Sequence, residues 1–298
     1  MLRHHALCLA GALSLLHAAP AGAEVLRWFG YTGVDCGLDD PHDDAATTDY
    51  SDEVAGFSNL NHICLDPDPA VTARRLSNAV AHGAPPLLHV EPVFLATTAQ
   101  GLRLTPEAGA LWPLVQDAIA QSGVPPADII FYLVDEPVLR LLPPADLVTA
   151  ANSLRRTYAD ARLMVIEAYA AGGPAPIPPQ IDYWGFNAYT VPDPGAEPLY
   201  VGYLDRARAA MSGDQHLVLV MDAMHTPIHA EAGIAESDMA AIARAYHALA
   251  VKRGDVSAIL AYSWAGGIDG PWEKGVRDLP PEVRAAHEEI GRAILAGP

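Results

Sequence analysis

Short apolar runs alternate with amphipathic stretches along the chain. Runs that fit buried strands cover Val25–Tyr31, Asn61–Leu65, Pro86–Val90, Ile129–Val134, Leu163–Ala168, Tyr183–Asn187, Leu217–Met221 and Ala258–Ser263. Near-continuous apolarity is what a strand covered on both faces requires. Helical periodicity fills the gaps and follows recognisable start signals. Asp68-Pro69 opens the run Ala70–His82, Thr105-Pro106-Glu107 the run to Gln121, and Pro143-Pro144 and Pro280-Pro281 two more. Others begin near Leu199 and Glu236, while Gly83, Gly123 and Gly254 stand where helices end.

Eight strand–helix units predict an α/β protein, a single-domain (β/α)8 TIM barrel. Two units are irregular. The linker from Tyr169 to Ile181 is rich in Gly, Pro and Ala, so the fifth crossover reads as a loop without a helix, and the first unit carries an acidic loop from Asp35 to Asp52. A doubly wound open sheet is the alternative, but no Gly-x-Gly-x-x-Gly follows the first strand.

The N-terminus changes the domain picture. Arg3, an apolar stretch from Ala6 to Leu16 and the small residues Ala21-Gly22-Ala23 read as a secretory signal peptide over residues 1–23. Residues 24–298 then form the barrel, near the roughly 250 residues such a fold needs. The apolar stretch is too short to span a bilayer. The expected location is secreted or periplasmic, with no membrane insertion after cleavage.

The formal charge of −18 argues against nucleic acid and anionic membrane partners. Neutral or cationic substrates suit it better. Of the three cysteines, Cys36 and Cys64 lie beyond the signal segment. In an exported chain a lone pair reads as a disulfide rather than a metal site, with two buried thiols as the alternative.

The chemistry gathers at the carboxyl ends of the predicted strands. The fourth strand runs apolar from Phe131 to Val134 and then stops on Asp135-Glu136-Pro137. The third ends on His89-Val90-Glu91-Pro92, the fifth supplies Glu167, the sixth Asn187 and Tyr189, the seventh Asp222 and His225, and the eighth Tyr262 and Trp264. Charged groups at one end of otherwise apolar strands are the asymmetry of a barrel with its site on top. Glycoside cleavage needs one carboxylic acid for the leaving oxygen and a second carboxylate across the scissile bond. The fourth and seventh strands lie nearly opposite in an eight-membered ring, so Glu136 and Asp222 form the expected catalytic pair. Glu91, one strand away, is placed to keep the Glu136 acid protonated by like-charge repulsion.

This arrangement resembles the retaining clan of (β/α)8 glycoside hydrolases whose fourth strand ends in Asn-Glu-Pro. The resemblance covers the whole barrel as an ordering of elements. It implies an acid/base role for Glu136, a nucleophile at the position of Asp222, a sugar contact from Tyr189 and a stacking surface on Trp264. Asp135, His89, Glu91 and Asn187 complete the expected substrate contacts, and no metal or cofactor is implied. The chain departs from the pattern twice: Asp135 replaces Asn, and Asp222 stands where the clan has Glu.

The expected activity is hydrolysis of O-glycosidic bonds in a polysaccharide or oligosaccharide. Two alternatives stay open. A metal-dependent hydrolase would draw on His62, His89 and His225, although no compact ligand spacing is present. A noncatalytic carbohydrate-binding barrel would keep the groove without a working second carboxylate. Oligomeric state is not legible.

Overall fold

All eight expected strands form in the computed structural model, which describes residues 26–168 and 177–297. They are β1 (Trp28–Asp35), β2 (Leu60–Cys64), β3 (Pro86–His89), β6 (Ile130–Asp135), β7 (Arg162–Ala168), β8 (Tyr183–Asn187), β9 (His216–Asp222) and β10 (Val256–Tyr262), with β4 (Leu95–Thr98) and β5 (Gly101–Leu104) between the third and fourth. The eight close into one barrel in the order β1-β10-β9-β8-β7-β6-β3-β2, every pair parallel. The chain is a single-domain (β/α)8 barrel. β4 and β5 form a separate antiparallel hairpin that the strand pattern did not anticipate.

Around the barrel run α1 (Ser51–Val54), α2 (Pro69–Ala81), α3 (Glu91–Phe94), α4 (Ala108–Ser122), α5 (Pro144–Thr157), α6 (Pro198–Ala210), α7 (Pro227–Glu231), α8 (Met239–Arg253) and α9 (Pro281–Ala296). Proline opens α2, α5, α6 and α9, where its fixed φ suits the first turn and its missing N–H costs nothing. Asp68 caps α2 by accepting from the Ala70 N–H at 2.9 Å. Gly123 and Gly254 end α4 and α8 in the left-handed region, at φ 70° and 65°. The fifth crossover, expected to lack a helix, falls mainly on residues 169–176, outside the described residues, as does the expected 1–23 signal segment; 177–182 carry no helix. No helix among the described residues is long and apolar enough to cross a membrane.

Strand alternation makes two cores. Leu60, Leu87, Ile130, Met164, Val218 and Leu260 fill the barrel interior. Their neighbours, such as Phe131, Leu133, Leu163, Leu217 and Leu219, point outward under the helices. Gly30 of β1 has no room for a side chain, since a Cβ there would lie 1.7 Å from the Leu60 carbonyl oxygen. At the top, Asp40 and Asp43 of the acidic first loop and Glu53 of α1 all pair with Arg277 beyond β10.

Candidate active site

Parallel strands deliver all their carboxyl ends to one rim, and a cavity of about 350 Å³ opens there. Its walls include five of the expected site residues: His89, Asp135, Glu136, Asn187 and Tyr189. His62, Tyr132, Tyr262 and Asp269 join them.

Glu136 is the first residue past β6 and takes a left-handed backbone, φ 48°. For a side chain other than Gly this costs about 1 kcal/mol. The surrounding bonds hold it there. Its N–H donates to the Ile166 carbonyl at 2.7 Å, and its carbonyl accepts from the Arg140 N–H at 2.9 Å. The effect is to present the carboxylate to the cavity, where Oε1 accepts from Asn187 Nδ2 at 2.9 Å. Glu167, on β7, secures the same turn from behind. It is fully buried and accepts from the Val138 and Ala168 N–H groups at 3.1 and 2.9 Å.

Glu91 has a different role from the one its position suggested. It is buried, does not line the cavity, and is taken up by Arg140. Burial works to raise its pKa, but the His89 ring 3.9 Å away and bonds from Arg140 and the Asp135 N–H outweigh that and bring it down to about 2. Its oxygens are committed to the Arg140 guanidinium and the Asp135 N–H. The carboxyl pushed upward in this cluster is Asp135. Burial raises it to about 6, with added repulsion from Glu136 and Glu91, despite the Tyr132 hydroxyl donating to it at 2.6 Å.

Two further expectations are not met by the placement. Asp222, at the end of β9, is 0 % exposed and does not line the cavity. Its Oδ2 accepts from the Thr190 N–H at 2.8 Å, and both its oxygens lie within 3.1 Å of His229 Nε2. His229 in turn contacts the Thr226 hydroxyl at 2.9 Å. These bonds tie the loops after β8 and β9 together. Trp264 is 4 % exposed and packs edge-on against Tyr31 and at a tilt against Phe57, with its indole N–H donated to Glu53 at 2.7 Å. It offers no open face for a sugar ring. Inward alternation along β10 instead brings Tyr262 to the cavity.

The cavity is therefore lined by phenols. Burial pushes the Tyr189 hydroxyl well up, helped by the charges of Asp135, Asp222 and Glu136. Tyr262 is raised by burial and by Glu273 and Asp269. Both remain hydrogen-bond donors at any ordinary pH. His62 is a neutral, buried ring in the cavity wall. Burial and the neighbouring His89 lower it to about 3, and its Nδ1 accepts from the Gly33 N–H at 2.9 Å. The ring proton is then on Nε2, which has no hydrogen-bond partner.

Asp269 is the residue the strand-end reading missed. It sits in the loop beyond β10, after Gly266-Gly267, where no strand pattern signals orientation. Asp269 reaches the cavity beside Tyr262, which it bonds, and β10, which carries Tyr262, stands four strands from β6 in the ring. His225 does not join His62 and His89: its ring bonds the Ile234 carbonyl and lies beside His229.

Cys36 and Cys64 are joined in a disulfide with Cα atoms 4.5 Å apart, tying the loop after β1 to the end of β2 at the cavity wall. Among the described residues, Cys36, His62 and Cys64 are the one group close enough to share a metal ion. The disulfide occupies both thiolates that such a site would need.

No protein-family model matches the sequence, and comparison with curated proteins finds no match. Solved structures do resemble the fold. A GH113 β-mannanase from Alicyclobacillus acidocaldarius superposes with a TM-score of 0.57 at 15% identity, covering 93% of this chain and 99% of that one. A GH113 β-1,4-mannanase gives 0.57 at 9% identity, covering 91% and 99%. Xylanase 10B from Thermotoga petrophila, solved with xylobiose, gives 0.54 at 11% identity, covering 91% and 95%. Identities this low establish a shared barrel fold, one that resembles glycoside hydrolases in architecture.

Proposed function

We propose that this chain is an exported glycoside hydrolase with Glu136 as its general acid. The observation that carries the reading is Glu136 itself. A carboxylate is held in a left-handed backbone at the rim of a barrel, aimed into a polar cavity and oriented by Asn187. Strain of this kind persists where the surrounding structure over-determines it, as at functional sites. The phenols of Tyr132, Tyr189 and Tyr262 around it suit sugar hydroxyls, and the fold's likeness to mannanases and a xylanase agrees with a carbohydrate substrate. The disulfide fits an oxidising compartment outside the cytoplasm.

In the proposed reaction Glu136 gives its proton to the glycosidic oxygen as the bond from that oxygen to the anomeric carbon breaks. Developing positive charge at that carbon needs a carboxylate on the far wall, and Asp269 is the cavity-lining acid that stands there. Water completes the cleavage, its hydroxyl going to the sugar and its proton back to the enzyme's acid/base pair.

The test is Glu136→Gln on a panel of defined oligosaccharides and aryl glycosides. Turnover of unactivated substrates should fall at least about 10²-fold while the protein stays folded. Wild-type turnover in the variant would remove Glu136 from the mechanism. A second reading, a carbohydrate-binding barrel without turnover, is favoured by one observation: Asp222 is consumed by His229 and Thr190. Sugar binding with no product from any panel member would select it.

A further inference from the structure

A second hollow, about 460 Å³, lies beside the candidate active site between α2 and α4. It shares two wall residues with the central cavity, Cys64 and His89, so the two spaces adjoin along β2 and β3. Their chemistries differ sharply. The central cavity is lined by carboxylates, phenols and a buried imidazole, whereas Leu65, Val93, Leu111, Leu114, Val115 and Ala118 dominate the second. Leu114 is 45 % exposed despite its size.

We propose that this groove holds the leaving group of the substrate, and that the leaving group is an apolar alcohol carrying an alkyl or acyl chain. The proposal rests on the glycosidase reading and narrows its substrate class.

Direction supports it. A general acid protonates the oxygen of the leaving group, so that group lies on the Glu136 side of the site. β6 has β7 and β3 as its neighbours in the ring, and of the two β3 leads to the groove, since it ends on His89, the shared wall. Composition decides what fits beyond. A further sugar unit would bring several hydroxyls against leucine, valine and proline, and each hydroxyl left unpaired in an apolar setting costs about 1–3 kcal/mol. No Trp, Tyr or Phe ring lines the groove to stack on a pyranose. An alkyl chain meets neither penalty. The net charge of −18 further selects a neutral amphiphile over an anionic one.

The probes are n-alkyl β-D-glucopyranosides and mannopyranosides from methyl to octyl, kept below their micellar concentrations. Binding is read by calorimetry on the full-length mature protein. A buried methylene strengthens binding up to about fourfold, so octyl should bind at least about 10²-fold more tightly than methyl for one of the two sugars. Leu114→Gln, at a half-exposed position where folding tolerates the change, and Leu111→Gln should each remove most of that gain without weakening the methyl glycoside. Affinity independent of chain length overturns the proposal. So does a gain that survives both variants, or n-octanol binding as tightly as the octyl glycosides. Failure of the glycosidase reading looks different: chain-length-dependent, groove-dependent binding with no hydrolysis of any member.

Discussion

Arg140 clasps Glu91 through two parallel contacts, Nη2 to Oε1 at 2.7 Å and Nη1 to Oε2 at 2.8 Å. The same pair brackets the peptide of Asp135. Glu91 Oε2 accepts its N–H at 3.0 Å, and Arg140 Nη1 donates to its carbonyl at 3.1 Å. The pair thus sets where β6 ends and where Glu136 begins.

Arg140→Met should therefore weaken the fold as well as the site. Glu91 is buried and Arg140 half-buried, so removing Arg140 leaves the carboxylate without its main partner at a cost of about 1–3 kcal/mol. The pH dependence carries the sign. Glu91 is held down to about 2 in the fold, so its contribution is present above the ordinary carboxylate range and is lost as pH falls toward 2. The stability gap between wild type and variant should be widest near neutrality and narrow on acidification. Urea midpoints at several pH values read this directly, and a gap of constant width would contradict it.

Asp135 predicts the opposite trend. Its carboxyl is raised to about 6 by burial and by its acidic neighbours. A raised acid contributes stability below its unfolded value, and that contribution is lost as pH rises through 6. Asp135→Asn, which still accepts from Tyr132, should flatten the stability profile between about pH 4 and 6 and gain on the order of 1–2 kcal/mol on wild type at pH 8. Wild-type activity should show a break near pH 6 as Asp135 beside Glu136 ionises, and the variant should lack it. A break that persists in the variant assigns that titration to another group.

How far the sequence reaches is clear from particular residues. Tyr183–Asn187 is a strand end for end as its apolar run implies, because a parallel strand under helices has to be apolar throughout. The β4–β5 hairpin escaped notice because its tip is exposed and polar, with Thr97, Thr98 and Gln100 interrupting any alternation. At the rim, position was legible and direction was not. Period-two alternation aims Tyr262 inward, but it lapses where β10 ends, so nothing in the sequence told that Trp264 would turn to Tyr31 and Phe57. Arg140 lies within a loop, and its pairing with Glu91 depends on β3 and β6 being neighbours, a fact of topology rather than of local pattern.

The disulfide makes a separate prediction. Cys36 and Cys64 enclose a loop with a sequence separation of 28, and losing such a bridge costs roughly 3.5 kcal/mol in the chain-entropy account. Cys36→Ser with Cys64→Ser should lower the urea midpoint accordingly, and the unreduced, denatured wild type should show no free thiol from this pair. Two titratable thiols there would show the bridge does not form.

The second carboxylate is where structure and resemblance part, and a pair of variants separates them. Asp222 occupies the strand position that the resemblance gives to a nucleophile, yet it is sealed from the cavity and bonded to Thr190 and His229. Removing it strands the buried His229 Nε2 and the Thr190 N–H, each costing about 1–3 kcal/mol. Asp222→Ala should thus lower the melting temperature by several degrees while activity measured well below that temperature stays within about tenfold of wild type. Asp269 lines the cavity from the opposite wall, is exposed, and shares no such network beyond its neighbours Tyr262 and Glu273. Asp269→Asn should leave the melting temperature nearly unchanged and lower kcat by at least about 10². The reverse pattern, with Asp222→Ala folded but inactive and Asp269→Asn fully active, would return the role to Asp222 and require the Tyr189 side of the cavity to open during catalysis.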